Sequence, residues 1–177
     1  LGTKIDVIEK IIKSKNFDSG VCEIANDNAE GQIIISGDKK NILSVQETLK
    51  IEKIKSIPLK VSAPFHCSLM QNAAKKMSEK INNTNFSKPN FDIICNVNAM
   101  PENEPEKIKK LLIDQICSTV KWRESLINIS KNGVKNFIEI GPGKALTGMV
   151  KRTIKNANSF SINSIADIKH LINEFKK

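Results

Sequence analysis

Apolar residues recur along this chain with two alternating periods, and the alternation predicts a mixed succession of helices and strands. Ile5, Ile8, Ile11 and Ile12 fall at helical spacing and predict a helix that has Asp6 near its start and ends before Asn16. Residues 21–25 read as a strand, and Asn26-Asp27-Asn28-Ala29-Glu30-Gly31 reads as a turn-rich link. Ile33, Ile34 and Ile35 stand in a row, as in a buried strand, closed by Gly37 and Asp38. Ile42, Val45 and Leu49 then share one face of a helix over about residues 39–49. Ile57, Leu59 and Val61 alternate with Pro58 and Lys60 and predict a further strand ending at Val61.

The second part of the chain shows longer units. Ser68 has the spacing of a capping box with Gln71, and Leu69, Met70, Ala73, Ala74, Met77 and Ile81 follow at helical intervals. A strand is expected over about 91–97. Pro101 and Pro105 then break the chain, with Pro105 suited to a first helical turn. Ile108, Leu111, Leu112, Ile116 and Thr119 face inward from the next helix, and Trp122, Leu126 and Ile129 from another, which Gly133 stops. A buried-type strand at 136–140, a glycine-rich turn, a helix over 145–153, a strand at 159–163 and a helix over 165–175 complete the pattern. Such alternation predicts a parallel α/β layer. The order of the first sixty residues (helix, strand, strand, helix, strand) is that of a ferredoxin-like unit without its first strand. That strand lies inside the sheet, so its absence leaves backbone groups unpaired beside apolar surface. The expectation is a chain that starts within a longer protein and folds poorly alone.

Composition narrows the function classes. Apolar residues make up 40% of the chain, no apolar run approaches the ~18–20 residues of a membrane span, and the first residues of this chain have no charged-then-apolar leader pattern, a leader upstream of a non-native start staying open. Cys22, Cys67, Cys95 and Cys117 lie far apart with no C-x-x-C pair, which argues against zinc and for reduced thiols in a cytosol. The net charge of +9 comes almost wholly from scattered lysines, since Arg123 and Arg152 are the only arginines. Without tyrosine or aromatic–basic interleaving, a nucleic-acid surface is not indicated. A basic surface does speed encounter with an acidic protein.

The candidate chemistry centres on Ser62-Ala63-Pro64-Phe65-His66-Cys67-Ser68-Leu69-Met70, a short tether between predicted strand and helix that holds one of only two histidines. Such a connection displays a catalytic group well, and an imidazole ordinarily titrates near ~6.5, able to take and return protons at neutral pH. From position alone the histidine is as readily a capping or packing residue. This run resembles the histidine motif of malonyl-CoA:acyl carrier protein transacylases. Residues 26–37, with Asn28, Gln32 and Ile35-Ser36-Gly37, resemble a strand pair of the same family. Gly141-Pro142-Gly143-Lys144 and the helix after it resemble that family's turn, rather than a G-x-x-x-x-G-K-[ST] phosphate loop.

The resemblance implies an α/β fold: an incomplete ferredoxin-like small subdomain over 1–61, then over 62–177 the C-terminal part of an α/β-hydrolase-like acyltransferase domain. It implies His66 as the catalytic general base and Gln115 as the residue whose main-chain carbonyl orients it. Phe65 and Asn28 fall at substrate-binding positions, Phe65 with a lean to malonyl over methylmalonyl units. The activity implied is transfer of a malonyl group from coenzyme A to acyl carrier protein in fatty-acid biosynthesis, in the cytoplasm and away from membranes. No metal or other cofactor is implied beyond the substrate thioester and the carrier's phosphopantetheine. The family's nucleophile is a serine in G-x-S-x-G, a pattern that does not occur in these 177 residues. The chain is therefore expected to be a fragment inactive by itself. The alternative is a remnant or split-gene half that only binds the carrier protein or a complementary N-terminal chain. Cys67 as an internal nucleophile is disfavoured, because residues adjacent in sequence point in different directions, and His170 reads as a surface residue.

Overall fold

The computed structural model describes residues 1–176, and the chain is mixed α/β. Its contacts divide into two compact units, Leu1–Ser125 and Leu126–Lys177. This division falls elsewhere than at residue 61, the subdomain boundary drawn from the sequence.

In the first unit, α1 (Ile5–Ser14) and α2 (Lys39–Ile51) pack on the antiparallel hairpin of β1 (Cys22–Ala29) and β2 (Gln32–Gly37). The core between them is built on Ile8, Cys22, Val45 and Leu49, with Ile12, Ile24, Ile33, Ile35 and Ile42 packed against it. The period of apolar residues in both helices thus points where the sequence predicts. The link expected at 26–31 is largely strand instead: β1 continues to Ala29, and only Glu30 and Gly31 turn, with Gly31 at φ 72. The extension survives because β1 has a partner on its other side: Val120 N–H donates to the Ala25 carbonyl at 2.8 Å, and Asp27 N–H to the Val120 carbonyl at 2.9 Å. Register shifts between Ile24 and Asn26, and between Asp27 and Ala29, put bulges at Ala25 and Asn28. A bulge bends a strand and re-aims its side chain, and such bulges are over-represented beside active sites.

The strand predicted at 57–61 does not form. Pro58 brings no N–H, no neighbouring strand pairs with the segment, and Ile57, Leu59 and Val61 are all more than half exposed. An extended segment needs a ladder partner to be a strand, which alternation of side chains cannot supply. The strand expected over 91–97 is likewise reduced to β3 (Ile93–Ile94), paired with β4 (Pro101–Glu102). Ser68 does not make a capping box either. Residues Ser68–Met70 form a 3₁₀ turn that runs into α3 (Gln71–Asn82), and the Ser68 hydroxyl is engaged elsewhere, as described below. Helix α4 (Pro105–Asp114) starts on Pro105 as expected but stops short, with Gln115 as its C-cap.

Helix α5 (Trp122–Lys131) contributes residues to both units, and Gly133, at φ 88, follows its end. In the second unit, β5 (Asn136–Ile140) and β6 (Asn158–Ile162) pair in parallel over five residues, as the alternation predicts, and contact α6 (Ala145–Thr153) and α7 (Ile165–Phe175). Glu139 of β5 caps α6: its carboxylate accepts the N–H groups of Leu146 and Thr147 and the Thr147 hydroxyl, which holds its pKa below the usual carboxylate range. The Gly-Pro-Gly-Lys turn is shaped by this cap and by Asn163, whose side-chain oxygen accepts from Gly143 N–H at 2.7 Å. Ile138 and Ile140 stand on the opposite face of β5, Ile140 81% exposed, although parallel strands are ordinarily covered on both faces.

Candidate functional site

The site lies in the first unit, where the Ala63–Pro64 turn, the start of α3 and the end of α4 meet. His66 adopts φ 59, a left-handed conformation that a residue other than glycine occupies only when its surroundings impose it. Cys67 and Pro64 close the turn from inside: the buried Cys67 thiol donates to the Pro64 carbonyl at 3.2 Å, and Met70 N–H donates to the Cys67 carbonyl. A thiol used in this way and sealed from solvent does not serve as a nucleophile. Burial also raises the thiols of Cys22, to about 11, and of Cys95 and Cys117 above their ordinary value.

The half-buried His66 ring reaches the main-chain carbonyl of Gln115, with Nδ1 3.0 Å from the oxygen. A carbonyl only accepts, so Nδ1 carries the proton, and in the neutral ring Nε2 is left with its lone pair. The geometry is like that of the imidazole and its acidic partner in a hydrolase-type triad, with a carbonyl where an aspartate would stand. Gln115 itself is held by its N–H to Leu111 and by its side-chain oxygen, which accepts from the Asn96 amide at 3.3 Å. It sits at the end of α4 as the C-cap, beside the apolar Ile108, Leu111 and Leu112 of the same helix. Since only the main-chain oxygen meets the ring, Gln115→Ala is expected to keep the rate of any reaction run by His66 within about threefold, at the loss of one modest hydrogen bond. A rate assay on the assembled protein checks this.

Asn28 occupies the second bulge of β1 and is buried. It is joined to the Gln115 segment through the backbone bonds of Ala25 and Asp27 to Val120, and by the Thr119 hydroxyl, which donates to the Ile24 carbonyl at 2.6 Å. Phe65 stands beside His66 in the turn, 46% exposed. His170, on α7, is exposed, and Lys144 lies at the surface. Among the described residues, no cluster of three His, Cys, Asp or Glu side chains is arranged to hold a metal ion, and no helix is long and apolar enough to cross a membrane.

Sequence reasoning passed over three residues that shape this site. Asp27, between the two asparagines of β1, is buried and paired with Arg123 of α5, whose Nε donates to both carboxylate oxygens at 2.9 and 3.0 Å and whose Nη2 lies 2.8 Å from Oδ2. The hydrogen bond and charge of Asp27 raise the guanidinium pKa further. A signal was present: in a chain that uses lysine for nearly every cation, an arginine offers the planar, two-pronged recognition that lysine lacks. Glu23, the third, carries no local signal.

No protein-family model matches the chain. Among curated proteins it is 38% identical, over 96% of its length, to the malonyl CoA-acyl carrier protein transacylase of Staphylococcus aureus strain COL, of which it covers 55%. It is 34% identical to the Bacillus subtilis strain 168 protein of that name, over 100% of the chain and 56% of the relative. Among solved structures, an acyl-carrier-protein S-malonyltransferase from Bartonella henselae superposes with a TM-score of 0.94 at 36% identity, covering 100% of this chain and 56% of that one. A malonyl-transacylase in complex with its type II polyketide synthase acyl-carrier protein gives 0.92 at 30% identity, over 98% and 56%. The chain spans slightly more than half the length of the relatives it matches.

Proposed function

We propose that this chain, similar over its whole length to the C-terminal part of malonyl-CoA:acyl carrier protein transacylases, is the histidine-bearing portion of such an enzyme. The observation that carries the reading is the Nδ1 contact of His66 with the Gln115 carbonyl at 3.0 Å, which leaves Nε2 as a base. The serine comes from a segment that the 177 residues do not include. Relatives of nearly twice this length support that, as do the exposed apolar positions of β5 and of residues 57–61.

The reaction then runs in two halves. The serine hydroxyl gives its proton to His66 Nε2 as its oxygen attacks the malonyl thioester carbon. The carbon–sulfur bond breaks, and the coenzyme A thiolate leaves with the proton from Nε2. The malonyl-serine ester is next attacked by the phosphopantetheine thiol of the carrier, whose proton passes to Nε2 and on to the departing serine oxygen. Gln115 holds the ring in orientation and stabilises the imidazolium formed in each half. The exchange of thioester for thioester is redox-neutral and balances without a further cofactor. Phe65 crowds a branched acyl group and favours malonyl, a preference of roughly 1–3 kcal/mol at most. Asn28, re-aimed by its bulge, lines the acyl side. Residues 1–61 form the small subdomain, 62–177 belong to the large one, and the setting is cytoplasmic. The net charge of +9 suits an acidic carrier protein as partner.

Labelled malonyl-CoA tests the reading. No covalent label is expected on the chain alone, and label is expected on a serine of the complementary N-terminal segment once the two are combined, discharged by added carrier protein. Label on Cys67, or none on the combined protein, sinks it; binding of carrier protein without any labelling leaves the chain as a non-catalytic binder.

A further inference from the structure

We infer that Glu23 is a positioning residue for His66, an inference that rests on reading His66 as the general base. The turn holding His66 has two anchors from outside itself. One is the Gln115 carbonyl. The other is the half-buried Glu23 carboxylate, which accepts from Ser68 N–H at 2.9 Å and from the Ser68 hydroxyl at 2.5 Å. Two residues past His66, this carboxylate grips the start of the 3₁₀ turn, where main-chain N–H groups lack intrahelical partners and negative charge is favoured. It thereby holds a residue whose φ of 59 the chain would otherwise relax.

Glu23 belongs to β1, and so do the groups that hold the other side of the contact. Ile24 accepts from Thr119, Ala25 accepts from Val120, and Asp27 donates back to Val120. The imidazole and the carbonyl that orients it are thus referenced to one stretch of a single strand. Removing Glu23 frees the ring side of the contact and leaves the carbonyl side in place.

The experiment uses the protein combined with its serine-bearing segment. Glu23→Ala is expected to lower kcat for malonyl transfer by about 10- to 100-fold, the scale on which misplacement of a catalytic group acts, with KM for malonyl-CoA within about twofold. Glu23→Gln, which keeps an acceptor for Ser68 N–H, is expected to restore kcat to within about fivefold of the parent. Nitrogen NMR of the His66 ring should show the Nδ1-protonated tautomer in the parent and exchange between both tautomers in Glu23→Ala. An unchanged kcat, a change confined to KM, or an unaltered tautomer overturns the assignment. If Glu23→Ala does not fold, Ser68→Ala, which removes the hydroxyl contact alone, decides: a fall of about threefold in kcat with KM unmoved supports it, and an unchanged kcat refutes it. If the parent transfers no malonyl group at all, the general-base reading fails, and the ring tautomer still decides the role of Glu23.

Discussion

His66→Asn in the protein combined with the proposed serine-bearing segment is expected to lower kcat for malonyl transfer by about 10³-fold or more, since on the proposed mechanism both half-reactions lose their proton carrier. Asparagine is the informative replacement because it tolerates the left-handed backbone at φ 59, where alanine would add strain to the loss of the base. On the proposed mechanism the imidazole moves protons to and from the serine oxygen and the thioester sulfur and does not anchor the substrate in the ground state, so KM for malonyl-CoA is expected to change by less than about threefold. Steady-state kinetics of carrier malonylation check both numbers. A variant with more than a tenth of the parent's kcat would mean that His66 is not the base.

The largest effect on stability is expected at a pair that takes no part in proton transfer. Arg123→Met leaves the Asp27 carboxylate, whose side chain is only 7% exposed, without its partner, at a cost of about 3 kcal/mol or more. In a protein of this size that is a fall in melting temperature of roughly 6–12 °C. The double variant Asp27→Leu with Arg123→Met is expected to recover much of the loss, because apolar groups of similar volume fill the site without a charge to desolvate. Thermal denaturation of the parent and the two variants checks the series. Equal melting temperatures for parent and Arg123→Met would show that solvent, not Arg123, stabilises Asp27. The pair also sits between the backbone bonds of β1 to Val120 and the bulge at Asn28, so the single variant is expected to loosen the strand around Asn28 as well.

His66 and Gln115 were legible as a pair only through the motif around His66 and its resemblance to one family. Nothing in the spacing of 49 residues between them states that a ring nitrogen meets a carbonyl. The sequence does not show that Gln115 is a C-cap, which follows from α4 ending at Asp114 and from the side-chain oxygen meeting Asn96. Ser68 was read as a capping box with Gln71, a local pattern that holds only while no stronger acceptor is near. Glu23, 45 residues earlier in the chain, is that acceptor. Asp27 and Arg123, 96 residues apart, meet by the same kind of long-range pairing.

By itself the sequence determined the helices and the identity of the histidine turn. A helix closes its hydrogen bonds within itself, so the period of its apolar face and end residues such as Pro105 and Gly133 suffice to show that it forms, though not where each one ends: α4 stops at Asp114, short of Ile116 and Thr119. The tertiary structure alone decided which extended segments become strands. Residues 57–61 alternate as a strand should and form none, whereas β1 runs past its expected end because Val120 lies alongside to receive it. It alone decided, too, that the ring of His66 faces one carbonyl. The groups that satisfy a strand edge or hold a left-handed residue come from distant parts of the chain, and only folding brings them within hydrogen-bonding distance.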